Sequence, residues 1–184
     1  MEKIIFFSLL LTGLALASCQ TKSYPTANAT TSTDKPVLPI GKGQNPYYSR
    51  TDTSVLKVSN EEWKKVLSAD VYAVSREKNT ERAFTGKYWD FTGIGTYHCA
   101  ACGNTLFRSD AKFASSCGWP SFFEQLRPNS VVYEEDNSYG MQRIEALCGR
   151  CGGHLGHLFD DGPEPTHKRY CMNSIVLDFV SDAK

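Results

Sequence analysis

Apolar and polar positions divide this chain into three stretches of different character. Residues 4–17 (IIFFSLLLTGLALA) are almost wholly apolar. That run is short for a transmembrane helix, which needs roughly 20 residues, and suits the apolar core of a secretory signal peptide. From residue 20 to about 46, Thr, Ser, Asn, Ala and Pro prevail and nothing repeats at helix or strand period, the pattern of a flexible tether. Periodic segments begin beyond it. Ser59-Asn60-Glu61-Glu62-Trp63 has the form of a capping box, and Trp63, Val66 and Leu67 give the helix it opens an apolar side. A second helix is expected around 71–77. After Tyr88 the character changes to short Tyr-, Phe-, Val- and Ile-rich runs cut by Gly, Asn, Asp and Pro. These predict strands at 95–99, 104–108, 130–135, 140–147, 156–159 and 169–180, hence a small antiparallel β-domain preceded by helices.

Composition adds bounds. The 184 residues suffice for one domain with a substantial core. Lys+Arg and Asp+Glu are equal at 20 each, so the basic excess of a nucleic-acid binder is missing. Three Trp, nine Tyr and ten Phe suit the half-buried faces of a β-rich core. The leader ends in Leu16-Ala17-Ser18-Cys19, which resembles the lipobox of bacterial lipoproteins. The expected organisation is a signal peptide over 1–18, a lipidated Cys19 and tether over 19–50, and a folded domain over 51–184. Ordinary signal cleavage with an incidental Cys19 is the alternative. Lipidation would make the protein an exported bacterial lipoprotein held to a cell-envelope membrane.

The seven cysteines divide as one, four and two. Cys19 ends the leader. Cys99-x2-Cys102 and Cys148-x2-Cys151 are separated by 45 residues. Two residues between thiolates let one tight turn aim both sulfurs at one ion, and four sulfurs in tetrahedral array suit Zn²⁺. Glycines beside both pairs supply the positive φ such turns need. The expected site is closed and structural, one zinc per chain. Thioredoxin-like redox pairs and structural disulfides compete with it.

Cys171 lies in Arg169-Tyr170-Cys171-Met172-Asn173, where strand alternation puts Arg169, Cys171 and Asn173 on one face. A neighbouring cation favours thiolate, the nucleophilic form; the plain alternative is a buried strand cysteine. His154 and His157 sit three apart in a glycine-rich stretch, as proton donors or as structural residues. In Ser115-Ser116-Cys117-Gly118-Trp119-Pro120, Pro120 stiffens the segment and Trp119 offers an apolar wall.

The ordered set CAAC, SCGWPSF, YGMQRIE, CGRCGGHLGHLFDDGP and RYCMNS, preceded by TERAFTGKYWDF, resembles the B-type methionine sulfoxide reductases over roughly residues 55–180. The resemblance implies two antiparallel sheets with short N-terminal helices and a four-cysteine zinc site. It implies reduction of methionine-R-sulfoxide in oxidised proteins. By position, Cys171 is the nucleophile, Trp119 cradles the sulfoxide methyl, His154 and His157 supply protons, and Asn173 holds water or substrate. Cys117 matches the thiol that many members use to resolve the sulfenic acid, although Ser115-Ser116 replaces the more usual Ser-Gly before it. The implied reductant is thioredoxin-like, no organic cofactor is required, and a monomer is expected. Two other classes remain: a zinc-stabilised binding module with a permanent Cys117–Cys171 disulfide, and a thiol–disulfide oxidoreductase using the C-x2-C pairs.

Overall fold

A computed structural model of the protein describes residues 45–182. The leader, Cys19 and the tether up to residue 44 lie outside the described residues. Two short helices come first, α1 (Asn60–Val66) and α2 (Ala69–Ser75). Ser59 caps α1 by accepting the Glu62 N–H at 3.3 Å, while the Glu62 carboxylate pairs with Lys65. Ser68 caps α2, which therefore starts and ends two residues before the expected 71–77. Trp63 seats α1 on the core, where it is 1% exposed.

The strands among the described residues are β1 (Gly95–Cys99), β2 (Thr105–Arg108), β3 (Lys112–Phe113), β4 (Ser121–Phe122), β5 (Val131–Asp136), β6 (Arg143–Cys148), β7 (His154–Phe159), β8 (Arg169–Met172) and β9 (Leu177–Ser181). They form two antiparallel sheets, one ordered β2-β1-β9 and the other β3-β4-β8-β7-β6-β5. Aromatic rings join the sheets. Phe107 of β2 stacks on Phe122 of β4 with centroids 4.3 Å apart, and Tyr97 of β1 meets the same ring edge-on at 5.0 Å. Such offset and T-shaped contacts add about 0.5–1.5 kcal/mol each beyond area burial.

Two expectations change. The single strand over 169–180 is in fact two strands in different sheets. After Met172 the Asn173 N–H bonds to Leu155 O, the Glu81 carboxylate takes the N–H groups of Ser174 and Ile175, and a 3-10 turn (Ser174–Val176) carries the chain across to β9. Asn173 thus leaves the alternation that Arg169 and Cys171 keep. The second change concerns residues 45–50, which the expected organisation places in the tether. They are docked on the domain: Asn45 Nδ2 donates to Ala101 O at 2.9 Å, and Ser49 N–H to Cys102 O at 2.9 Å.

Candidate active site and metal centre

Four sulfurs converge where β1 of one sheet and β6 of the other end. Cys99 and Cys148 close those strands, and Cys102 and Cys151 stand in the turns that follow. Both turns close alike: Gly103 N–H bonds to Cys99 O and Gly152 N–H to Cys148 O, each at 2.8 Å. Gly103 and Gly152 have φ of +81° and +66°, conformations that cost glycine no Cβ clash. All four Sγ atoms are buried and lie within 4.8 Å of one another. Cys99–Cys151 and Cys102–Cys148 are 3.8 and 3.6 Å apart. Four metal–sulfur bonds of ~2.3 Å in a tetrahedron give sulfur–sulfur edges of about 3.8 Å. The four cysteines are therefore placed to hold a metal ion, drawing on both pairs at once, as the spacing predicts.

Arg150, inside the second C-x2-C, fastens the N-terminal arm to this centre. Its Nη1 donates to Cys102 O at 2.6 Å and Tyr47 O at 2.8 Å, and its Nη2 to Asp52 at 2.7 Å. The side chain is 3% exposed, so the pairing is shielded from solvent on the arginine side.

Cys171 sits on β8 between two partners, facing Ser121 of β4 on one side and His157 of β7 on the other. The strands approach closely because residue 156 is glycine: a Cβ there would lie 2.0 Å from Cys171 O. Cys117 reaches in from the loop between β3 and β4, its Sγ 3.4 Å from that of Cys171. Trp119, on the same loop, donates its indole N–H to Glu81 O at 3.2 Å. Trp119, His157, Phe159, Cys171 and Asn173 line a cavity of about 140 Å³. His157 and Arg143 also line a broader polar cleft of about 730 Å³, which includes His154.

The SelR domain matches residues 67–181 of this chain. A peptide methionine sulfoxide reductase MsrB of Bradyrhizobium diazoefficiens is 56% identical over 127 residues, 69% of this chain and 91% of that protein. The protein of the same name in Methanosarcina barkeri is 54% identical over 124 residues, 67% of this chain and 87% of its own length. The one in Thiobacillus denitrificans is 55% identical over 118 residues, 64% and 89%. The chain belongs to the B-type methionine sulfoxide reductases.

In this reductase the two redox-candidate sulfurs are unequal. Burial works against ionising Cys117, but hydrogen bonds from Ser115, Ser121, the Trp119 backbone and Cys171 outweigh it and bring the thiol down to about 7. Burial, then the adjacent Cys117 sulfur, push Cys171 up to about 12, and Arg169 pulls the other way without prevailing. The sequence assigns Arg169 to ionising Cys171. In the structure its guanidinium is shared with Asp161, through bonds of 2.7 and 2.9 Å, and lies 4.2 Å from the Phe159 ring centroid. One negative charge between two touching sulfurs rests on Cys117.

The histidines are also unequal. His154 Nδ1 bonds to Glu145 at 2.7 Å, and the other Glu145 oxygen holds Lys78 at 2.7 Å. Burial pushes His154 below the usual imidazole range despite that carboxylate, so it is neutral near pH 7. His157 Nε2 bonds to Asp136 at 2.8 Å. The Ser138 hydroxyl and N–H, His157 and Arg143 hold the Asp136 carboxyl far below its ordinary range, so it is ionised and accepts a hydrogen bond from the His157 Nε2–H. Of the two rings, His157 is the one facing Cys171 across the strands.

Asn173 is present at the cavity with its amide committed. Its Oδ1 accepts the Glu81 N–H at 3.0 Å and its Nδ2 donates to Leu155 O at 3.0 Å. Glu81, Glu145, Asp136, Ser115 and Ser121 escape a sequence reading centred on cysteine and histidine. Glu81 and Glu145 lie within the motifs TERAFTG and YGMQRIE, but nothing local shows which distant groups they hold.

Proposed function

We propose that this reductase returns methionine-R-sulfoxide in proteins to methionine, with Cys171 as the attacking sulfur and Cys117 as the resolving one. The observation that carries this is the 3.4 Å approach of the two sulfurs beside the cavity walled by Trp119. Trp119 takes the sulfoxide methyl against its face. The Cys171 proton passes to the neighbouring Cys117 sulfur, and the Cys171 thiolate attacks the sulfoxide sulfur. His157, braced by Asp136, protonates the departing oxygen. The protonated oxygen passes to the Cys171 sulfur as the bond between the two sulfurs breaks, so the methionine sulfur gains two electrons and Cys171, having lost two, becomes a sulfenic acid. The Cys117 thiol then attacks that sulfur and expels water, leaving a Cys117–Cys171 disulfide. A thioredoxin-like dithiol restores both thiols by exchange. Cys99, Cys102, Cys148 and Cys151 would hold a zinc ion through four thiolates, and its part would be structural, joining the two sheets.

Resolved peptide substrates test the stereochemistry. The R sulfoxide yields methionine in the presence of a thioredoxin-type donor, and the S epimer does not. Equal turnover of both would refute the assignment.

The apolar leader and Leu16-Ala17-Ser18-Cys19 support export and lipidation of Cys19, which places the repair activity at the cell envelope. Several acyl chains anchor far more firmly than one, since each buried CH₂ contributes ~0.8 kcal/mol. Cells fed a labelled fatty acid incorporate it into the wild-type protein and not into Cys19→Ala. Label in the variant, or recovery of unlabelled wild type from the cytosol, counts against anchoring.

A further inference from the structure

Glu81 belongs to neither the cavity lining nor the sulfur and imidazole chemistry, yet its backbone groups hold two lining residues, Trp119 and Asn173, and its carboxylate holds the two residues that follow Asn173. Its carbonyl oxygen accepts the Trp119 indole N–H at 3.2 Å. Its N–H donates to Asn173 Oδ1 at 3.0 Å. Its carboxylate accepts Ser174 N–H at 2.5 Å through one oxygen and Ile175 N–H at 3.0 Å through the other. One residue therefore ties the loop after α2 to the indole on the loop before β4. It also ties that loop to the chain just beyond Cys171, 93 positions away. Phe84 N–H adds a further tie to Gly118 O at 2.8 Å. The carboxylate is the one anchor in this set supplied by the side chain of Glu81, so it can be altered while both backbone bonds remain available.

We infer that the Glu81 carboxylate is a positioning residue that fixes Trp119 and Asn173 in register with Cys171, and so sets how closely the cavity fits an S-methyl group. This rests on Cys171 and Trp119 acting as proposed above. The physical basis is that two charge-assisted bonds to one carboxylate are stronger and more directional than neutral ones. An amide in its place accepts one N–H and turns its own N–H₂ toward the other. The carboxylate site is also tight. A Cβ at residue 86 would lie 2.4 Å from Ser174 Oγ and 2.6 Å from Glu81 Oε1, so only glycine leaves room for the bond. Gly86 is the second part of the device.

The test uses Glu81→Gln, nearly isosteric, and Gly86→Ala, which displaces the carboxylate without removing it. Both are assayed with methionine sulfoxide and with the S-ethyl analogue, alongside metal content and melting temperature. At a hydrophobic wall one methylene is worth about tenfold or more in kcat/KM. That methyl-over-ethyl preference is expected to fall toward unity in both variants. With it, kcat for the methyl substrate should fall about tenfold to 100-fold, as a displacement on the order of 1 Å produces. A structural role alone would lower the melting temperature and leave the preference intact, and that outcome overturns the inference. So does a wild-type kcat in both variants. If the wild-type protein itself produces no methionine, the reading of the site fails and takes the inference with it.

Discussion

With a thioredoxin-type donor, Cys117→Ser releases one methionine per enzyme and stops, whereas Cys171→Ser releases none. In the proposed mechanism the first variant keeps the attacking sulfur and the cavity but has no thiol to expel water from the sulfenic acid. The second removes the sulfur that forms the bond. A quench-flow count of methionine against enzyme distinguishes the two. Steady cycling by Cys117→Ser at the wild-type rate removes Cys117 from the mechanism, and methionine from Cys171→Ser removes Cys171. Thiolate absorbance adds an independent check with a definite sign. In the wild type the first thiol to ionise is Cys117, at about 7, and its charge opposes ionisation of Cys171, which is pushed up to about 12. Deleting Cys117 removes that opposing charge while Arg169 remains, so the Cys171 pKa falls in Cys117→Ser. A rise, or no change, contradicts a charge shared between the sulfurs.

Cys151→Ser is expected to lose the metal and unfold. The four sulfurs join the ends of strands from both sheets, and the arm over residues 45–56 is fastened to the same turns through Arg150 and the Leu56 N–H on Arg150 O. In small thiolate sites metal binding contributes about 10–16 kcal/mol to folding, whereas a whole domain is typically stable by only about 5–15 kcal/mol. Losing one ligand therefore removes a share comparable to the total. Metal analysis should show one equivalent in the wild type and none in the variant, with collapse of the near-UV circular dichroism signal. Stripping the wild type with a strong chelator should do the same. Retention of the native spectrum and melting temperature by stripped protein would show that hydrophobic packing across the Phe107–Phe122 seam suffices without the metal.

Several features were legible because their cause is local. Ser59 ahead of an apolar stripe marks α1, since the hydroxyl that caps it is three residues from the N–H it accepts. Two residues between cysteines set the geometry of each metal turn, and β1 falls on the expected 95–99 because its short run is bounded by glycine before it and by the first cysteine turn after it. β3 and β4, two residues each, are too short to show a period, yet β4 is what places Ser121 beside Cys171. The break after Met172 was hidden as well: its residues suit a strand, and the Glu81 carboxylate that draws them into a turn is remote in sequence.

By itself the sequence determined the inventory of candidate groups: which cysteines form a four-fold set, which two stand apart, and which tryptophan and histidines lie in the motifs beside them. Tertiary structure alone decided how that inventory is charged. Cys171 is protonated and Cys117 is the readier thiolate, because burial and a sulfur 3.4 Å away outweigh the arginine two residues along the strand. His154 is neutral because it is buried, and His157 is held to an ionised carboxylate contributed by another strand. Protonation depends on solvent exclusion and on distances across the fold, and neither is a property of neighbouring positions in a chain.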